Sequence, residues 1–484
     1  VSLSGRITSG PSEILHREIL EPQFNFELEN LLPYYLSIEK VLVLEYERLE
    51  LITGNDKDSI ITILDQVTKK TIKADPTSNM SDILFAIERH VEGKLNVEVP
   101  AWHIDRSRND IQACAQVMFG REQLLQTINE MRSLFLVVHR LAENTINMPM
   151  PGYTHYQAAQ IITPGFYLSA LSEQLILSMN RMLNIYDEIN KCPLGAGAMS
   201  GGEFEWDRHN MAKLLGFSRL QKHSLNAVAS RQWTLQIASE LSNFGVFLSR
   251  IITDLIQWGS SEYRYIDLPD HLSGISSAMP QKKNFPILER LRGKTAHLHA
   301  FYTDFILGQR NTAYTNLVET SKEAGTHVTT MFDTYKSIMR LFTIVISELT
   351  FDENRMLEVC KFEFFGGFSL ANLLTLHNKI PYRQSQIITG QYILKMLELS
   401  RNAEQIDVEI LKKIGLEKGY QIKITTEELK NVFDVSNNLK SKITVGSVNP
   451  LSVKDLLNEH KAQFKDIIYE VELREVDISR EINT

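Results

Sequence analysis

Five stretches of this chain repeat apolar residues every three or four positions for roughly 20 to 35 residues at a time, and few folds accommodate that pattern. The first carries Val117, Leu124, Ile128, Met131, Phe135, Val138 and Ala142 on one face. The second carries Leu168, Leu171, Leu175, Met179, Met182 and Tyr186 behind Thr163-Pro164, an N-cap residue followed by proline at the first helical position. A third covers 228–258, and two more fall at about 287–307 and 323–348. Helices of that length with sustained apolar stripes bury them against one another, so the expected fold is mainly α with a central bundle of long helices. Before it, 30–52, 59–67 and 81–91 read as helices, and 96–100 is a break. After Phe351 the pattern shortens, with one short extended piece expected at 420–426. The expected parts are a helical segment 1–100, the bundle 101–350 and a small, mostly helical segment 351–484.

Several function classes fall away on composition. The net charge of −8 leaves no electrostatic footprint for nucleic acid. No apolar run reaches membrane-spanning length, and the first residues lack a basic-then-apolar leader, so no membrane role and a cytosolic location are expected. Cys114, Cys192 and Cys360 are far apart in sequence and have no metal-ligand spacing; they read as small buried hydrophobes. No metal or cofactor is expected.

Four polar segments interrupt the helices. The stretch 273–294 begins as a Gly/Ser loop, carries Ser276, Ser277, Lys282 and Asn284, and turns into a helix at Pro286. A helix start attracts anions, though a Gly/Ser loop before a helix often only connects. His103-Ile-Asp-Arg-Ser-Arg-Asn-Asp110 opens the first long helix. Its Arg106, Arg108 and Asn109 read either as solvated charges with a cap or as a carboxylate clamp, because the guanidinium fork matches a carboxylate. Asp110 is placed to favour the helix start electrostatically. Pro151-Gly-Tyr-Thr-His-Tyr-Gln157 sets Thr154 beside His155. The Gly-rich 193–202 lacks the preceding strand and following Lys-Ser/Thr of a phosphate loop.

Together these blocks resemble the fumarase/aspartase superfamily. Ser276-Ser-Ala-Met-Pro-Gln-Lys-Lys-Asn284 is similar to its signature and looks most like argininosuccinate lyase. Arg106-Ser-Arg-Asn-Asp110, Gly152-Tyr-Thr-His155, Pro193-Leu-Gly-Ala-Gly-Ala198 and Pro381-Tyr-Arg383 resemble further blocks. The resemblance covers about 100–460. It implies a three-domain fold, a homotetramer with sites shared among three subunits, and β-elimination that releases fumarate from a small dicarboxylate. By the same resemblance Ser276 is the base, Lys282 and Asn284 hold the carboxylate that becomes dianionic, and His155 pairs with Glu289. Arg108, Asn109, Thr154, Tyr314, Glu319 and Lys322 bind substrate.

Departures are specific. Ile275 stands at a glycine of the signature, Asp105 and Ile111 flank the arginine block, and Glu319 stands where Gln is usual. The segment 36–45 lacks the polar set that helps hold the arginine half in argininosuccinate lyases. A lost hydrogen-bonding site costs orders of magnitude in discrimination. The expectation is therefore a divergent paralogue that cleaves another N-substituted aspartate. Argininosuccinate lyase itself is the alternative, and a catalytically silent homologue the third reading.

Overall fold

The computed structural model describes Arg6 and residues 9–482. The expected long helices are Arg108–Asn144 (α1), Pro164–Ile189 (α2), Gln232–Trp258 (α3), Pro286–Gln309 (α4) and Val328–Glu348 (α5). Their starts follow local chemistry. Ser107 accepts from Asn109 N at α1, Thr163 accepts from Phe166 N at α2, and Pro286 sits at the first position of α4. The expected third helix is broken: a short helix, Ser224–Ala229, ends before α3 begins after Arg231. α3 packs on α4, α1 on α2 and α5, and α4 on α5. The predicted stripe residues Leu124, Ile128, Met131, Leu171, Leu175, Ile237, Leu241 and Leu248 are fully buried between them.

Two differences from the sequence reading concern the C-terminal part. Pro450–Ile482 (α6) is a 33-residue helix that lies along α2 and α1, with Val453, Leu457, Phe464 and Val471 in the bundle core. Its apolar stripe is narrow and surrounded by charge, which hid its length. Residues 420–426 form no strand; Ile422 and Ile424 are buried in a second, smaller core with Leu374, Ile388 and Tyr392. The division at 100 and 350 stays a proposal, with the observation that apolar residues of the first segment join the bundle core.

The candidate residues fall toward two ends of the bundle. A hairpin of Met150–Thr154 (β1) and Gln157–Ile162 (β2) follows the C-terminus of α1. Tyr153 OH meets Tyr265 OH at 2.6 Å, which ties this hairpin to the segment after α3. There Gly274–Ile275 (β3) pairs with Lys283–Asn284 (β4), just before α4. α4 then runs back to the start of α3, where Gln309 Nε2 donates to Thr234 Oγ1 at 2.9 Å. Its 24 residues separate the two ends by about 36 Å.

Candidate functional site

At the start of α1 the polar turn divides its labour. Arg106 is buried and holds both oxygens of Glu39, itself fully buried, with Nη1 to Oε2 at 2.7 Å. It clamps a carboxylate, but one belonging to the protein. Asp110 does not act on the helix start alone. It is buried and accepts from Gly195 N at 2.9 Å and Gly197 N at 3.0 Å, so the Gly-rich loop wraps an internal carboxylate in place of a phosphate. Burial raises the Asp110 carboxyl to about 6 against the pull of those two N–H donors. Gly197 has a φ of 61°, and a Cβ there would meet Gly201 O at 2.6 Å, so only glycine fits.

Arg108 is exposed, pairs with Asp82 at 2.7 Å and lies over the Phe85 ring. Asn109 donates to Ala198 O at 3.1 Å and accepts from Asn316 Nδ2 at 2.9 Å. Lys322 reaches Glu27 at 3.4 Å. Glu27 also accepts from Gln23 and Gln112, and burial raises its carboxyl. Arg108, Asn109 and Lys322 therefore come together around a cavity of about 180 Å³ that Glu27, Tyr35, Asp82 and Asn316 also line. Tyr314, exposed, donates to Asn226 Oδ1 at 3.0 Å beside it, and Glu319 is exposed in the short helix Val318–Ser321.

The other end holds the remaining candidates. Thr154 and His155 sit at the exposed tip of the β1–β2 hairpin, where Thr154 faces Gln157 across a two-residue turn. Both turn residues, His155 and Tyr156, have positive φ, 53° and 60°, the conformation a two-residue hairpin favours and side chains resist. Ser276 is half-buried at the start of the β3–β4 loop, and its Oγ accepts from Met279 N at 3.0 Å and Ala278 N at 3.4 Å. Lys283, not Lys282, is tied down, by Asp267 and Asp270. Lys282 and Glu289 are exposed, Asn284 lies in β4, and Ile275 is paired in extended backbone with its side chain 94% exposed. The missing glycine is thus no strain here. Among the described residues no hydrogen bond or ion pair joins His155 to Glu289 within the chain.

Sequence reasoning missed Glu27, Asp82, Arg231 and Asn316. Glu27 had a signal: it falls at helical spacing between the buried Phe24 and Leu31, an acid on an apolar face. Arg231 had another, a charge inside an otherwise continuous apolar helix pattern. Cys114 and Cys192, distant in sequence, meet in the core, where burial and the neighbouring thiol push Cys114 up.

Residues 24–298 match the family described as Lyase. Argininosuccinate lyase of Lachnospira eligens is 30% identical over 380 residues, 78% of this chain and 81% of that protein. Argininosuccinate lyase 1 of Shouchella clausii is 28% identical, covering 94% of this chain and 92% of its own length. Among solved structures, EDDS lyase in complex with formate superposes over 100% of this chain and 96% of its own with a TM-score of 0.85, at 24% identity. A class II fumarase from Schistosoma mansoni gives 0.68 at 15% identity over 86% of this chain and 94% of its own. Among the described residues no single helix is long and apolar enough to cross a membrane. The chain belongs to the lyase family of the fumarase/aspartase superfamily, close to the argininosuccinate lyases, and is a carbon–nitrogen lyase that releases fumarate.

Proposed function

We propose that this enzyme cleaves an N-substituted aspartate other than argininosuccinate by β-elimination, with Ser276 as the base. The observation that carries the chemistry is the setting of Ser276: its Oγ already accepts backbone N–H groups of its own loop. A serine hydroxyl is a weak base unless its alkoxide is stabilised, and aligned N–H donors do that without reorganisation. The base takes the proton from the carbon beside a carboxylate. The electron pair left on that carbon then forms the fumarate double bond, while the carbon–nitrogen bond breaks with its own pair staying on the nitrogen, and the amine departs carrying a proton. Lys282 and Asn284, beside the start of α4, receive the carboxylate that becomes dianionic. Thr154, Arg108 and Asn109 hold the second carboxylate. Tyr314, Glu319 and Lys322 face the leaving amine's side, and His155 works with Glu289.

These residues lie at two ends of a bundle about 36 Å apart, farther than a small dicarboxylate spans. One chain does not assemble the site. We therefore propose a homotetramer in which the Ser276 end of one copy meets the Asn109 end of another. A cytosolic location goes with it, supported by three free, buried cysteines.

The preference against argininosuccinate rests on the segment 36–45. Its acids are used internally: Glu39 holds Arg106, and Glu45 accepts from Arg48 Nε at 2.8 Å and Asp207 N at 3.0 Å. The identity to argininosuccinate lyases favours the alternative, argininosuccinate lyase itself. The test is fumarate absorbance with a panel of N-substituted aspartates, argininosuccinate included, for the wild type and Ser276→Ala. Turnover of another member, lost in the variant by about a thousandfold or more, is expected. Turnover of argininosuccinate at an ordinary enzymatic rate overturns the substrate preference, and an unaffected variant overturns the base.

A further inference from the structure

Behind Lys322 lies a second cavity, of about 510 Å³, between the N-terminal helices and the bundle. Its size suits a small organic molecule. Ile19, Pro22, Phe26, Leu31, Phe119 and Val328 give it apolar walls. Its polar lining includes Arg231, Trp233, Gln116, Gln309, Thr234 and Lys322.

Arg231 is 4% exposed and interrupts the chain just before α3. Nη1 donates to Val228 O at 2.8 Å and Ser230 O at 2.9 Å, and Nη2 to Asn316 Oδ1 at 3.1 Å. These partners are neutral. Among the described residues no acidic side chain forms an ion pair with it, and its Nε has no hydrogen-bond partner. Trp233 Nε1 is buried without a partner too, and so is Gln116 Oε1, whose amide nitrogen donates to Ser321 O at 2.6 Å. Burial lowers the Arg231 guanidinium to about 10, so it stays charged at neutral pH. A buried charge with no counter-charge is costly, and the cavity that Arg231 lines has room for an anion that would supply one. Water would satisfy the N–H groups but not the charge.

We propose that this cavity is a binding site, separate from the elimination site, for a small monocarboxylate with an apolar or aromatic body. The carboxylate pairs with the Arg231 guanidinium and the body fills the apolar walls. Glu18 and Glu323, exposed lining residues, disfavour a second negative charge on the ligand. The site is coupled to the candidate cavity in two ways. Ser321 and Lys322 line both, and Arg231 braces Asn316, which in turn holds Asn109. An occupant that draws Arg231 toward itself shifts that brace and changes KM for the elimination substrate.

The test uses the full chain with phenylacetate and hexanoate as probes and phenethylamine as the charge control. Trp233 emission and the thermal midpoint are followed, with and without saturating fumarate. Saturable binding of the carboxylates is expected, unchanged by fumarate and absent for the amine. Arg231→Gln is expected to weaken it about tenfold or more. Ile19→Trp, at an exposed lining position, blocks the cavity without touching the core and gives the same loss if Arg231→Gln fails to fold. Trp233→Phe removes only the Trp233 share of the emission change, beside Trp102, Trp206 and Trp258, and keeps the thermal shift. Equal binding of the amine, competition by fumarate, no saturable response, or full binding in both Arg231→Gln and Ile19→Trp overturns the proposal. These readouts need no turnover, so they stand apart from the elimination reading.

Discussion

Arg106 and Glu39 place two opposite charges inside the protein, each satisfied by the other. Removing one member strands the other. Arg106→Met is expected to cost about 3–5 kcal/mol, whereas the double variant Arg106→Met with Glu39→Leu recovers most of it. Urea-unfolding midpoints of the wild type, Arg106→Met, Glu39→Leu and the double variant check this, and additive losses would show the pair to be uncoupled. Asp110 makes a different prediction, about pH. Its carboxyl is raised to about 6 in the folded chain against an ordinary 3.8. Between those values the native state binds more protons than the unfolded one, so this group's contribution falls as pH rises from about 4 to about 6 and is flat above. The difference corresponds to at most about 3 kcal/mol. Asp110→Asn keeps an acceptor for the glycine N–H groups and lacks the titration. Its stability relative to the wild type is therefore expected to improve across that range, read as midpoints at several pH values.

The long helices are joined by contacts that small residues permit. A Cβ on Gly120 would lie 2.7 Å from the ring of Trp233, so α1 and α3 approach at that glycine. Gly120→Ala would gain up to about 1 kcal/mol of helix propensity and is expected to lose about 1–3 kcal/mol to overpacking. A lowered melting temperature with altered tryptophan emission is the outcome to look for. At this scale the sequence was most readable. Leu124, Ile128 and Met131 recur at helical spacing because burying a stripe is all their positions require, and Ser107, Thr163 and Pro286 mark starts by local chemistry alone. What escaped was non-local. Nothing near Glu39 shows that Arg106, 67 residues on, will hold it. The same holds for the glycines that wrap Asp110 and for the Arg231–Asn316–Asn109 chain. The signature blocks identified the candidates, while their division between two ends follows from helix direction, which needs the fold. The segment 450–482 went unread as a long helix because most of its surface is charged.

On the scale of the whole molecule Ser276 and Asn109 lie toward opposite ends of α4, and the proposed site takes them from different copies. If sites form between copies, two dead variants are expected to complement. Ser276→Ala and Asn109→Ala, each nearly inactive, should regain about a quarter of wild-type sites when unfolded together and refolded as mixed oligomers. No recovery on mixing, with both variants correctly folded, would mean that each chain supplies its own site. The hairpin that presents His155 adds a last consequence. Its two turn residues hold left-handed backbone that Asn-Gly would adopt with less strain. A population of this gene selected only for heat tolerance is therefore expected to drift toward His155→Asn and Tyr156→Gly, gaining durability and, under the role proposed for His155, falling silent as enzymes. Under the role proposed for His155, the turn is a place where selection for robustness and selection for catalysis pull on the same residue.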